Sequence, residues 1–157
     1  MLTSSMAMNY YAQPRMTRDI DLVIALSAAD VDTVVRTFAG DYYVSPDAVA
    51  DSIARQSLFN LIHEESVIKV DCIVRKDSPY RHAEFERRRR IPIGDFSTWI
   101  VSKEDLIISK LEWARDSESQ QQLRDVRNLA ASGYDLAYLE RWTNELRLYK
   151  IWQRCQP

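Results

Sequence analysis

Glycine is scarce in this chain: 157 residues contain three, together with five prolines and no serine- or proline-rich stretch. Nothing marks a linker or an internal boundary, repeats and low complexity are absent, and the chain reads as a single domain over 1–157. Cysteine and histidine number two each. Cys72 falls inside a strand-like run and Cys155 near the C-terminal end, neither at metal-ligand spacing, so neither reads as part of a site. His63 and His82 likewise lack partners at ligand spacing and read as surface residues. No apolar run approaches the roughly 18 residues that span a bilayer, and a basic segment followed by an apolar one is missing at the start. The expectation is a cytoplasmic protein with reduced thiols and no membrane partner. A net charge of −2 gives no global attraction to nucleic acid, so a polyanion would need a local patch.

Core-forming residues, by contrast, are plentiful. A hydrophobic fraction of 46% against 28% charged residues is that of a folding globular chain. Ser4 or Ser5 caps a short helix through Met8 and Tyr11, which Pro14 ends. From Asp19 the pattern changes to a period of two, with Asp19, Asp21 and Val23 on one side and Ile20, Leu22 and Ile24 on the other, so a strand is predicted to Leu26. Ser27 opens a helix to about Ala39 with Asp30 as its capping-box partner and Val31, Val34, Val35 and Phe38 as its buried stripe. A short helix is expected after Pro46. The runs 57–62 and 67–74 form a hairpin around a polar turn. A polar helix is predicted over 78–90, a short strand over 91–100, and a helix from Ser102 to about Arg115 with Asp105 as box partner; the remainder is helical to Trp152. The order suits an α/β (α+β) domain, with a mixed sheet and helices over 1–100 and a C-terminal helical lobe over 101–157.

Residues two apart in a strand share a face with Cα atoms about 6.5 Å apart, so Asp19 and Asp21 can aim at one cluster of hard cations. In the run 67–74, Ile68, Val70, Cys72 and Val74 form one face while Lys69 and Asp71 share the other. A carboxylate on such a strand needs a metal ion or a cation such as Lys69 to offset its desolvation. Spacing alone also admits a plainer reading, in which Asp19 is an exposed first residue, Asp21 pairs with Arg15 or Arg18, and Asp71 pairs with Lys69. Lys110 stands at the margin of an apolar helix face with Leu106, Ile107 and Trp113, where snorkelling is the simple alternative to a site role. The run Arg87 to Arg90 reads as a solvated helix face or as an RNA-binding patch. Trp113, Tyr138, Trp142 and Trp152 lie at helical spacings and read as core.

The stretch from Ser4 to Tyr11, followed by Pro14-Arg15-Met16-Thr17-Arg18-Asp19-Ile20-Asp21, resembles the opening of the nucleotidyltransferase superfamily. It looks closest to the small bacterial branch that includes nucleotidyltransferase-type toxins of abortive-infection toxin–antitoxin systems. In that family a Gly-Ser turn starts a helix, an Asp-x-Asp strand follows, and a later strand delivers a third acid, matched by Asp71 in Lys69-Val70-Asp71-Cys72. The likeness continues through 102–107, Lys110 and 122–125.

It implies a nucleotidyltransferase-like mixed sheet with catalytic and metal-binding Asp19, Asp21 and Asp71. Two Mg²⁺ ions between them would activate an acceptor hydroxyl and neutralise the triphosphate. It further implies nucleotide binding by Ser4, Ser5, Arg15, Thr17, Lys69, Lys110 and Asp125, with Lys110 reaching the triphosphate and Asp125 orienting it. The implied reaction moves a nucleoside monophosphate from an NTP to a hydroxyl on tRNA or protein, with a cognate antitoxin as a further partner. Ser5 matches the motif serine and Ser4 stands where its glycine is expected. Only three residues precede Ser4 where the family has a strand, which predicts an exposed sheet edge and a poorly anchored turn. The alternatives are an inactive nucleotidyltransferase-like binding or regulatory module, and a metal-dependent phosphoesterase using the same aspartates.

Overall fold

Alternating aspartate and aliphatic residues make Asp19–Ile24 the strand β1. Its neighbours were located in a computed structural model describing residues 1–12, 14, 16, 17 and 19–156. The strands β2 (Tyr42–Tyr43), β3 (Leu58–His63) and β4 (Lys69–Val74) join β1 in a four-stranded mixed sheet of order β1-β4-β3-β2. β1 and β4 run parallel, and the other pairs are antiparallel. The expected hairpin is β3–β4, and its turn is stitched by the Ser66 N–H donating to His63 Nδ1 at 3.1 Å. The two-residue β2 has no counterpart in the sequence reading, because its looser stretch carries no alternation.

The sheet is amphipathic. On one face Phe59, Leu61, Val70, Cys72 and Val74 are buried beneath two helices. These are α2 (Val31–Phe38), entered through a 3₁₀ turn at Ala28–Asp30 that carries the Ser27–Asp30 capping box, and α3 (Pro46–Arg55), capped by Ser45. Val31, Val34 and Phe38 of α2 pack there as their spacing predicts. Cys72 lies in this layer, and burial pushes its thiol pKa up to about 11, with Asp71 adding to the shift. Cys155 is buried in the other core cluster, and both thiols are free.

The opposite face meets α1 (Ser4–Tyr11) and the helical lobe of α5 (Lys103–Ser117), α6 (Gln120–Ala130), α7 (Leu136–Glu145) and α8 (Tyr149–Gln153). Leu106, Ile107, Ile108 and Leu111 of α5 are fully buried, each contributing about 2 kcal/mol relative to exposure. One apolar cluster runs from Met1 and Val23 through α5 and α6 to Trp152, so sheet and lobe share a core. Trp142, Trp152 and partly Tyr138 pack there as expected, but Trp113 is 58% exposed. It lies three residues beyond Lys110 on the stripe of α5 (Leu106, Ser109, Lys110, Trp113) that lines a cleft.

Two expectations are corrected. The helix predicted over 78–90 stops at Glu86 as α4 (Pro79–Glu86), and Arg89–Ile93 (β5) with Phe96–Ile100 (β6) forms a separate hairpin. Its two-residue turn places Gly94 at φ +57°, a conformation glycine adopts without a Cβ penalty. The edge of β1 is not left bare either. Val23 N–H donates to the Met1 carbonyl at 2.9 Å and Thr3 N–H to the Asp21 carbonyl at 3.1 Å. Leu2 simultaneously bridges β6, donating to Trp99 O at 2.7 Å and accepting from Val101 N–H at 2.9 Å. Three residues therefore satisfy the edge and tie the turn at Ser4 to both sheets. Among the described residues no helix is long and apolar enough to cross a membrane.

Candidate functional site

Register brings the acidic residues together. Asp19 lies opposite Lys69 and Asp21 opposite Asp71 across the parallel β1–β4 ladder, while Asn60 of β3 lies opposite Asp71 on its other side. Residues paired across a ladder share a face, so all five polar side chains stand on the side of the sheet away from α2 and α3. Lys69 Nζ is 3.0 Å from Asp71 Oδ2 and 4.0 Å from Asp19 Oδ2. The hydrogen bond to Asp71 is the main reason its pKa is raised; slight burial opposes it, and the carboxylate charges of Asp71, Asp19 and Asp21 add to it. Asp71 also accepts from Asn60 Nδ2. In these contacts Asp19 and Asp71 match the plainer reading of the sequence, an exposed first residue and a lysine pair. Its remaining element, a partner for Asp21 at Arg15 or Arg18, lies outside the described residues, as does the expected nucleotide contact of Arg15.

Asp21 behaves differently. Among the described residues its hydrogen-bond partner is the Ser4 hydroxyl. Burial raises its pKa, the Ser4 bond opposes that, and the charges of Asp71 and Asp19 add to the rise. Ser4 itself opens α1 at φ +51°, in the left-handed region where a Cβ is costly. The position at which the family resemblance expects glycine is thus one whose backbone favours glycine. Ser5 follows in the first turn of α1, outside the cleft lining. Thr17 donates its hydroxyl to the Asp19 carbonyl at 3.3 Å, at the entry to β1.

Asp21 and Ser4 form one wall of a cleft of about 490 Å³ between the C-terminal ends of β1 and β4 and the helices α4 and α5. That volume lies within the roughly 300–1,000 Å³ of small-molecule sites, and the ends of parallel strands are where open α/β sheets bind ligands. Arg75, Lys76, Arg81 and Lys110 line the cleft together with Glu84, Glu112 and Asp116. Lys110 does not snorkel. Its side chain is 5% exposed, and Nζ lies 2.6 Å from Asp125 Oδ2 and 3.1 Å from Gln122 Oε1, so the expected Lys110–Asp125 pairing is present. Gln121 Nε2 donates to the other Asp125 oxygen at 2.9 Å.

Arg81 is held by Glu84 at 2.8 Å and Glu112 at 2.5 Å. Its burial works against the charge, yet the two glutamates more than offset this and raise its pKa. Arg75 Nε is buried and has no hydrogen-bond partner among the described residues, which leaves a donor at the cleft without an acceptor.

Sequence reasoning missed Arg75, Lys76, Arg81 and Gln122, and assigned Trp113 to the core. One signal for the first two was legible: Arg75 and Lys76 follow directly on the last residue of the acid-bearing strand β4. Arg81 carries no such signal, since only the packing of α4 on α5 turns it inward.

The three aspartates with Lys69 leave two negative charges on this face among the described residues, the charge of one divalent cation. All the donors are oxygens of the kind magnesium takes. As the side chains lie, Lys69 stands between Asp19 and Asp71, and among the described residues no three acidic, thiol or imidazole groups meet to hold a metal ion. The donors suit a magnesium ion by type and charge, while the placing of the described side chains does not bring three of them together. No protein-family model matches the chain, and comparison with curated proteins finds no match.

Proposed function

We propose that the cleft binds a nucleoside triphosphate with Mg²⁺ and that the chain is a nucleotidyltransferase, moving the nucleoside monophosphate to a hydroxyl on tRNA or protein with release of pyrophosphate. The observation that carries this is the meeting in one cleft of an under-compensated carboxylate, Asp21, with Lys110 and with the Arg75 Nε donor that has no acceptor among the described residues. A triphosphate with its metal has the complementary charge order. Asp19, Asp21 and Asp71 would hold Mg²⁺, which when bound supplies charge neutralisation at the phosphate and activation of the acceptor hydroxyl. Ser4 orients Asp21 through its hydroxyl. Lys110, fixed in place by Asp125 and Gln122, takes phosphate charge together with Arg75, Lys76 and Arg81. Catalysis of this kind is positioning and electrostatic stabilisation and needs no covalent nucleophile. Trp113, exposed one turn from Lys110 on the cleft side of α5, offers a ring for the base.

The test is transfer of label from each of the four NTPs, with Mg²⁺, to RNA and to protein. Wild type labels an acceptor and Asp21→Asn does not; equal labelling by the two sinks the proposal. A second reading, a nucleotide-binding or regulatory module without transfer, is favoured by the Cβ at Ser4 and by Lys69 on the carboxylates. It predicts Mg²⁺-dependent nucleotide binding with no labelled product.

A further inference from the structure

The four consecutive arginines Arg87 to Arg90 are sent to three different surroundings. Arg87 turns inward, 3.3 Å from Glu104, 3.4 Å from Asp105 and with its guanidinium 3.8 Å above the Tyr138 ring. Arg89 hydrogen-bonds Tyr11. Arg90 lies exposed on the β5–β6 ribbon, and Arg88, partly buried just before it, donates to the Phe85 carbonyl. Arg90 is directly opposite Trp99 and donates from Nε to Ser97 Oγ at 2.8 Å. Arg88 stacks 4.8 Å from the Trp99 ring centre and 4.3 Å from that of Phe85. Trp99 is nevertheless 45% exposed. Among the described residues no carboxylate forms an ion pair with Arg88, Arg89 or Arg90, so the ribbon is a local cationic surface on a chain of net charge −2.

We propose that this ribbon face binds single-stranded nucleic acid, with Arg88 and Arg90 on phosphates and Trp99 against a base. Cations flanking an exposed ring are what a single strand requires, since its backbone is anionic and every base has a stacking face. A protein partner is disfavoured by size: a stable interface covers about 800 Å² per side, and the large exposed apolar side chains of the hairpin are Trp99 and, at its tip, Phe96. The proposal stands on the hairpin's own residues and holds whether or not the cleft is catalytic.

Fluorescence anisotropy of labelled oligouridine with the full chain tests it. The wild type should bind, more weakly as salt rises. Trp99→Ala should weaken binding about tenfold. Arg90→Ser should lower the salt dependence by about 0.7 in the slope of log K against log salt. Both side chains are exposed, so unchanged melting temperatures would show that the variants fold, and Trp99→Phe should restore most of the affinity. Absence of wild-type binding, indifference to both substitutions, or equally tight binding of polyglutamate or of phosphatidylserine vesicles would overturn it.

Discussion

Two groups of charged side chains, one among α4, α5 and α7 and one on the sheet, are provided for very differently. Between α4, α5 and α7 each acid has direct partners. Glu84 accepts from Arg81 at 2.8 Å and Ser109 at 3.1 Å, and Asp105 accepts from Ser102 at 2.6 Å and Tyr138 at 2.7 Å with Arg87 nearby. On β1 and β4 three carboxylates share one lysine, and Asp21 has only the Ser4 hydroxyl among the described residues. Buried charge that is fully hydrogen-bonded within the chain holds helices together. Charge that the chain leaves short of partners is a cost unless something else supplies them, and that difference is the ground for proposing the sheet face as the ligand side.

The comparison can be broken at its strongest point first. Asp105→Ala removes the acceptor for Ser102 and Tyr138 and leaves Arg87 with Glu104 as its one carboxylate partner among the described residues, so it should cost about 3 kcal/mol in urea denaturation. A loss under about 1 kcal/mol would mean that this network is not holding the lobe. Ser4 gives a smaller effect. Ser4→Gly and Ser4→Ala both lose the hydroxyl on Asp21, but only glycine relieves the left-handed backbone, so the glycine variant should be the more stable by about 1 kcal/mol.

Asp21→Asn should have the smallest effect and the opposite sign from Asp105→Ala. The folded pKa of Asp21 is raised, chiefly by burial, so the folded state holds its proton more tightly than the unfolded chain does. Its stabilising contribution is present below the usual aspartate range and is lost as pH rises through the folded pKa. At neutral pH the ionised carboxylate is therefore a cost. Asp21→Asn should melt above the wild type there, with the gap closing in acid; a variant that melts lower at neutral pH would contradict the assignment.

The strands were legible because their patterns are binary. Asp19 to Leu22 and Lys69 to Cys72 alternate charged and apolar residues, and the period of two places Asp19 and Asp21 on one face before any partner strand is known. Helix starts were legible where a cap and its box partner stand three apart, as at Ser27 and Asp30 or Ser102 and Asp105. The end of α4 was not, because Arg87 to Arg90 suit a helix as well as a strand, and only pairing of Arg89–Ile93 with Phe96–Ile100 decides between them. The site divides the same way. Asp19 and Asp21 could be put on one face from their own spacing, whereas the β1–β4 pairing that sets Asp71 beside them, and the reach of Arg81 and Trp113 into the cleft, come from packing that no local pattern encodes.

Calorimetric titration of the full chain with each NTP, with and without Mg²⁺, tests the central claim most directly. At least one nucleotide should bind to the wild type in a Mg²⁺-dependent way, and Asp21→Asn, still folded, should lose the Mg²⁺-dependent part. Binding that is identical in the two proteins, or absent from the wild type with every nucleotide, would contradict the account.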